Sequence, residues 1–167
     1  MDYTNEIKKY IELEIETLKK LDVQAINAAA NLIDETRKAG NTIYIFGNGG
    51  SSATASHYQN DFNKGVSEYL FNKNEPKFKF QCLNDNVATI MAIANDIGFE
   101  EEYAKSCGNK IIGLTGYKGG KLKELSDISL HVDVMSMQTT EDIHMIFDHL
   151  IMSLFYRELA GIEHLKA

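Results

Sequence analysis

The chain has 167 residues and a net charge of −7, with 44% hydrophobic residues, which suits one soluble domain with a real core. The acidic balance, with no Lys or Arg run, argues against nucleic acid or an anionic membrane as a general partner, and no apolar stretch is long enough to span a bilayer. Cys82 and Cys107 each sit in or beside an apolar segment, and the charged start MDYTNEIKKY lacks the apolar run of a signal peptide, so reduced, buried thiols and a cytoplasmic home are expected.

An amphipathic helix is expected from about Tyr3 to Leu21, with Ile7, Ile11, Ile15 and Leu18 at helical spacing. A second runs from about Val23 to Ala39, with Ile26, Ala29, Leu32 and Ile33 apolar, and stops at Gly40. Thr42 to Phe46 has the β-branched and aromatic composition of a buried strand. The loop Gly47-Asn48-Gly49-Gly50-Ser51-Ser52 follows at once, and Ala53, Ala55, Tyr58 and Phe62 then mark a helix. Polar, irregular chain is expected after Gly65, through Pro76. Lys77 to Leu83 alternates as a strand, and Asn84-Asp85-Asn86 caps a helix from about Val87 to Ala94. A short helix from about Phe99 to Cys107 ends at Gly108. Lys110 to Leu114 reads as a strand, Thr115 to Gly120 as a glycine-rich loop, and Lys121 to Leu125 as a helical turn. Ile128 to Val134 alternates as the last strand. A long helix covers about Thr139 to Glu158, with Ile143, Phe147, Leu150, Ile151 and Leu154 on one side. Strands alternating with helices predict a three-layer α/β/α sandwich around a mostly parallel sheet, with ligands beyond the carboxyl ends of the strands.

Three features carry chemistry. The first glycine loop joins a strand to a helix, where amides, a helix dipole and the Ser51 and Ser52 hydroxyls suit an anion; a tight turn that binds nothing is the plainer alternative. It matches neither Gly-x-Gly-x-x-Gly nor a Walker A loop. His57 and Asp61, four apart, share a helical face and can hold a metal ion, act as an acid/base pair, or be a solvated surface pair. The last helix offers Glu141, Asp142, His144, Asp148 and His149. Glu141 and His149 lie roughly 80° apart around it and two turns along it, so they can meet only at a point off the helix. Glu141 and His144 are better aligned, while His144 and His149 point well apart. Met135, Met137, Met145 and Met152 read as core filler.

The run Gly47-Asn48-Gly49-Gly50-Ser51 with His57 and Asp61 resembles the signature of the sugar isomerase (SIS) fold, and more narrowly of the phosphoheptose isomerase family. Ala94 to Phe99, Leu114-Thr115-Gly116 with Gly119-Gly120, and Glu141-Asp142-Ile143-His144 with His149 agree with it. The resemblance covers nearly the whole chain and implies a single SIS domain over residues 1–167, flavodoxin-like, with N-terminal helices packed in a homotetramer. It implies a cytoplasmic isomerase that interconverts sedoheptulose 7-phosphate and D-glycero-D-manno-heptose 7-phosphate for lipopolysaccharide or capsule precursors. It also implies zinc on His57, Asp61, Glu141 and His149, with Asp61 as base and His149 as acid or its partner. Substrate contacts are implied for Asn48, Gly49, Gly50, Ser51, Ser52, Asn95, Asp96, Thr115 and Glu141. Relatives that lost the catalytic His act as regulatory binding proteins, for example of replication initiators. His149 favours the enzyme over these and over other sugar-phosphate-binding SIS proteins.

Three departures stand out. Asp61 replaces the family's usual Glu and is one methylene shorter. Glu141 replaces Gln and adds a negative charge, which suits a divalent metal because unneutralised carboxylates repel. The family also carries another strand and a serine-rich phosphate loop that should lie between Glu101 and Glu102, where roughly thirty residues are absent by family comparison. A break in the chain between those two residues is therefore expected.

Overall fold

The computed structural model describes residues 1–71, 73–86, 88, 104–105 and 107–163. Its elements in chain order are α1 (Thr4–Leu18), α2 (Val23–Lys38), β1 (Ile43–Ile45), α3 (Gly50–Asn60), a π-helical stretch (Asp61–Val66), α4 (Ser67–Tyr69), β2 (Phe80–Cys82), a 3-10 turn (Leu83–Asp85), β3 (Ile112–Thr115), α5 (Gly120–Leu125), β4 (Ile128–His131), α6 (Met137–Phe155) and a second π-helical stretch (Tyr156–Ala160). The chain divides into two compact units, Met1–Ala28 with Glu101–His144, and Ala29–Glu100 with Met145–Ala167.

In the second unit β1 and β2 pair in parallel, with Ile43 opposite Phe80 and Ile45 opposite Cys82. Parallel neighbours need a crossover, which α3, the first π-helical stretch and α4 supply. Phe62 from that crossover is fully buried, within 4.5 Å of the Phe80 ring, 5.2 Å of Phe78 and 6.0 Å of Phe155, centroid to centroid. An aromatic cluster of this kind holds helix to strand by burial and by edge-to-face contact together. Asn63 fixes the register: its amide oxygen accepts the Phe80 N–H at 2.7 Å and its amide nitrogen donates to the Phe80 carbonyl at 2.7 Å. α2 ends where Gly40 turns left-handed at φ +72°, the conformation a helix C-terminus takes most cheaply with Gly. Buried Arg37 is neutralised by Asp34 at 2.8 Å and donates to the Pro76 carbonyl at 2.6 Å.

In the first unit β3 and β4 pair in parallel, Ile112 to Ile128 through Thr115 to His131, with α5 in the connection. Leu130, Val132 and Ile143 are buried here.

The alternation of helix with parallel strand is the predicted one, and several details differ. Helical chain continues through Gly65 to Tyr69 where irregular chain was expected, because Val66 and Leu70 are buried side chains that a helical turn delivers to the core. Gly65 is small by necessity: a Cβ there would lie 2.9 Å from the Tyr156 hydroxyl. The strand expected from Thr42 to Phe46 is not buried throughout: Tyr44 of β1 and Phe46 just after it are 58% and 55% exposed, while Ile43 and Ile45, facing the other way, are half-buried. Cys82 is buried as expected, but Cys107 is exposed, in the turn before Gly108. The predicted helix at 87–94, most of the one at 99–107 and the break between Glu101 and Glu102 lie outside the described residues.

Candidate active site

The glycine loop leads straight into the site. Gly49 sits at φ 56°, ψ −124°, a region that only Gly enters readily. Gly47 is required for a different reason, since a Cβ would lie 2.6 Å from the Ser51 Cβ and carbonyl oxygen. Asn84 clamps the loop from below: its Oδ1 accepts the Gly47 N–H at 2.9 Å and its Nδ2 donates to the Gly47 carbonyl at 2.9 Å. The amides of Ser51 and Ser52 donate to the Asn48 and Gly49 carbonyls at 3.1 and 3.0 Å, and Ser52 Oγ donates to the Gly49 carbonyl at 2.7 Å. Those two amides therefore close the turn first. What the loop presents outward is the exposed stretch Asn48, Gly49 and Gly50.

Two to three turns further along, α3 and the residue after it carry His57 and Asp61, as their four-residue spacing predicts. His57 Nε2 lies 3.3 Å from Asp61 Oδ2. From α6, His149 brings its Nε2 to 3.2 Å from His57 Nε2 and 3.8 Å from Asp61 Oδ2. Asp148, its neighbour, places Oδ2 4.0 Å from His57 Nε2. One ligand atom from each of His57, Asp61, Asp148 and His149 lies within 4.8 Å of the others.

Burial is uneven across these four. The side chains of His57 and His149 are 43% and 52% exposed, Asp61 is 15% exposed, and Asp148 is fully covered. The imidazoles form the open rim and Asp148 the floor. Burial first, and the charge of Asp61 second, push the Asp148 carboxyl up to about 8. A carboxylate sealed from water with a second one beside it is poorly solvated as an anion, so it holds its proton at neutral pH unless a cation arrives.

A divalent metal fits this donor set. Ligands about 2.0–2.2 Å from a tetrahedral ion stand about 3.3–3.6 Å apart; four of the separations here are 3.2–4.0 Å, and all six lie within 4.8 Å. Two imidazoles and two carboxylates are ligands zinc accepts, and together they neutralise its charge.

The other sequence candidates fall as follows. Thr115 ends β3, buried, with its hydroxyl 2.9 Å from His131 Nδ1. Gly116 after it passes against Thr140, whose side chain would lie 2.4 Å from any Cβ. Glu141 is half-buried on the first half of α6 and is not among the residues of the metal-capable group. His144 is buried, and burial lowers its pKa. Asn95 and Asp96 lie outside the described residues. Sequence reasoning noted Asp148 as a candidate but gave it no role. The available signal was an acidic residue within the apolar stripe Ile143, Phe147, Ile151, because Asp is almost never fully buried unless paired.

Comparison with known proteins bears on the fold and the family likeness. Residues 2–75 match the family described as SIS domain. A phosphoheptose isomerase from Aliarcobacter butzleri is 29% identical over an alignment of 187 positions, covering 92% of each chain. Among solved structures, a phosphoheptose isomerase from Francisella tularensis superposes with a TM-score of 0.77 at 23% identity, over 95% of this chain and 100% of that one. The phosphoheptose isomerase of Neisseria gonorrhoeae gives 0.71 at 19% identity, over 92% and 98%. The chain has the SIS fold, and it resembles the phosphoheptose isomerase family over nearly its whole length.

Proposed function

We propose that this protein is a ketose–aldose isomerase that converts sedoheptulose 7-phosphate to D-glycero-D-manno-heptose 7-phosphate. The observation that carries the reading is the convergence of His57 and Asp61, two to three turns along from the glycine loop, with His149 and buried Asp148 of α6. The names of the similar proteins supply the substrate class.

The reaction moves one proton between adjacent carbons through an enediol. Asp61, 85% buried, is the base that takes the proton from the ketose carbon next to the carbonyl. His149 faces Asp61 across 3.8 Å from the rim and is the acid, or the partner that moves a proton between the two oxygens. His57, between them, orients both. Zinc is the proposed ion, and when bound it supplies Lewis acidity toward the sugar's carbonyl oxygen. Ser51, Ser52 and the exposed backbone of Asn48, Gly49 and Gly50 are proposed to bind the sugar or its phosphate. Thr115 and Glu141, with Asn95 and Asp96, are retained as substrate contacts on the sequence likeness alone.

We further propose one SIS domain spanning the chain, a cytoplasmic setting on the way to lipopolysaccharide or capsule precursors, and a homotetramer. The apolar stripe of α1 supports assembly: Ile7, Ile11 and Ile15 are about half exposed, and Leu18 is 37% exposed. Light scattering at micromolar concentration should return four times the chain mass; a monomer mass would refute this. The 187-position alignment, longer than the chain itself, supports an internal segment absent relative to the isomerase it matches.

The functional test is incubation of the purified protein with sedoheptulose 7-phosphate, with and without zinc, reading aldose formation. Aldose should accumulate, faster with zinc. Tight sugar-phosphate binding with no aldose under either condition would replace the isomerase reading with that of a binding protein.

A further inference from the structure

Asn84 spends both ends of its side-chain amide on one backbone residue. Its Oδ1 accepts the Gly47 N–H and its Nδ2 donates to the Gly47 carbonyl, each at 2.9 Å. The register of the sheet explains the match. Ile43 lies opposite Phe80 and Ile45 opposite Cys82, so the next position in that series is Gly47 opposite Asn84. By then β2 has left the ladder for the 3-10 turn Leu83–Asp85. A side-chain amide carries the same donor and acceptor pair as a peptide group, so the Asn84 side chain stands in for the backbone that a longer β2 would have offered. Gly47 is held as if in a strand, while the chain after it is free to open into a loop.

The loop needs such a hold. Asn48, Gly49 and Gly50 are exposed, and glycine loses more conformational freedom on ordering than any other residue. The far end is fastened by the Ser51 and Ser52 amides, which donate to the Asn48 and Gly49 carbonyls at 3.1 and 3.0 Å. Asn84 fastens the near end. We propose that Asn84 is a positioning residue for substrate binding: by fixing Gly47 it keeps Asn48 to Gly50 in the binding conformation before the sugar phosphate arrives, so that binding does not have to order the loop. This rests on the reading, given above, of that loop as a sugar-phosphate contact. Its neighbour Asp85 does different work. The Asp85 carboxylate accepts Ser56 Oγ at 2.7 Å and Gln59 Nε2 at 3.2 Å, which ties the turn to α3 rather than to the loop.

Steady-state kinetics and calorimetric affinity for sedoheptulose 7-phosphate are measured for the wild type, Asn84→Ala and Asp85→Ala. Asn84→Ala should raise KM and Kd by about 10–100-fold, the effect of two lost hydrogen bonds, and leave kcat within about threefold, because a contact made equally in the ground state and the transition state acts on KM. Asp85→Ala removes two hydrogen bonds from the same turn and should keep the wild-type KM. A purely structural role gives another pattern, since less folded enzyme lowers the apparent kcat and leaves KM unchanged. Hydrogen exchange over residues 46–50 should quicken in Asn84→Ala and not in Asp85→Ala. Asn84→Asp has the same shape, keeps the acceptor and loses the donor; it should also raise KM, and it repeats the test should the alanine variant not fold. Unchanged KM and Kd in the Asn84 variants, an equal rise in Asp85→Ala, or a loss confined to kcat would each overturn the proposal. A wild type that binds the sugar phosphate without forming aldose removes the isomerase reading alone, and Asn84 is then judged on Kd. A wild type that does not bind it overturns both.

Discussion

The two halves of α6 have similar residues and opposite uses for them. In the first half the polar groups serve the fold. The Thr140 hydroxyl donates to the Ser136 carbonyl at 2.8 Å, Asp142 accepts the Tyr10 hydroxyl, and Thr139 and His144 are buried. In the second half Asp148 is buried with no donor for its oxygens among the described residues, and His149 stands half-exposed beside His57. A His and an acid occur in both halves, so residue identity does not separate structural work from chemistry. What separates them is that the second half brings its acid and its imidazole within 4.8 Å of the His57 and Asp61 ligand atoms.

The largest effect should come from breaking the second half. Asp61→Asn and His149→Ala should each lower turnover of sedoheptulose 7-phosphate by about 10²–10⁴-fold, with unfolding midpoints close to the wild type. Steady-state kinetics beside thermal unfolding checks this; a loss of stability matching the loss of rate would move those residues to the structural side.

The first half should respond in the reverse way. His144→Ala opens a cavity and should cost about 0.5–3 kcal/mol of stability, read by denaturant unfolding, while turnover at saturating substrate stays near wild type. His144 also sets a pH dependence. Burial holds its folded-state pKa below the ordinary 6.5, so the stability it contributes is fully present above about 6.5 and is lost as pH falls through the lower folded value. Unfolding midpoints should decline with acidification below pH about 6.5, and His144→Ala should flatten that limb. A rate loss in His144→Ala without a stability loss would undo the division of the helix.

The smallest effect is expected at Tyr10. Its hydrogen bond to Asp142, with the neighbouring negative charge, raises the phenol to about 12. Tyr10→Phe should remove one such late-titrating tyrosine from an ultraviolet titration and leave turnover unchanged.

Much of this was legible from the residues. Alternating Phe78, Phe80 and Cys82 gave β2, and the four-residue spacing of His57 and Asp61 put them on one face. Gly40 and Gly49 marked turns that have positive φ. The extension of helix through Gly65 was hidden, because a lone Gly reads as a stop until a neighbour such as Tyr156 is seen packed on it. The place of Asp148 was hidden for a different reason. Helical spacing orders residues around one helix and says nothing of which side chains a second helix will bring near. Glu141 entered the metal set by resemblance, while Asp148 comes into view only through its distance to His57.

The most direct test of the centre formed by α3 and the second half of α6 is the rate of heptose 7-phosphate formation from sedoheptulose 7-phosphate, with zinc present, for the wild type beside His149→Ala. The wild type should form the aldose, and the variant should be slower by at least about 10²-fold while still folded. Equal rates in the two proteins, or no aldose from either, would contradict the account.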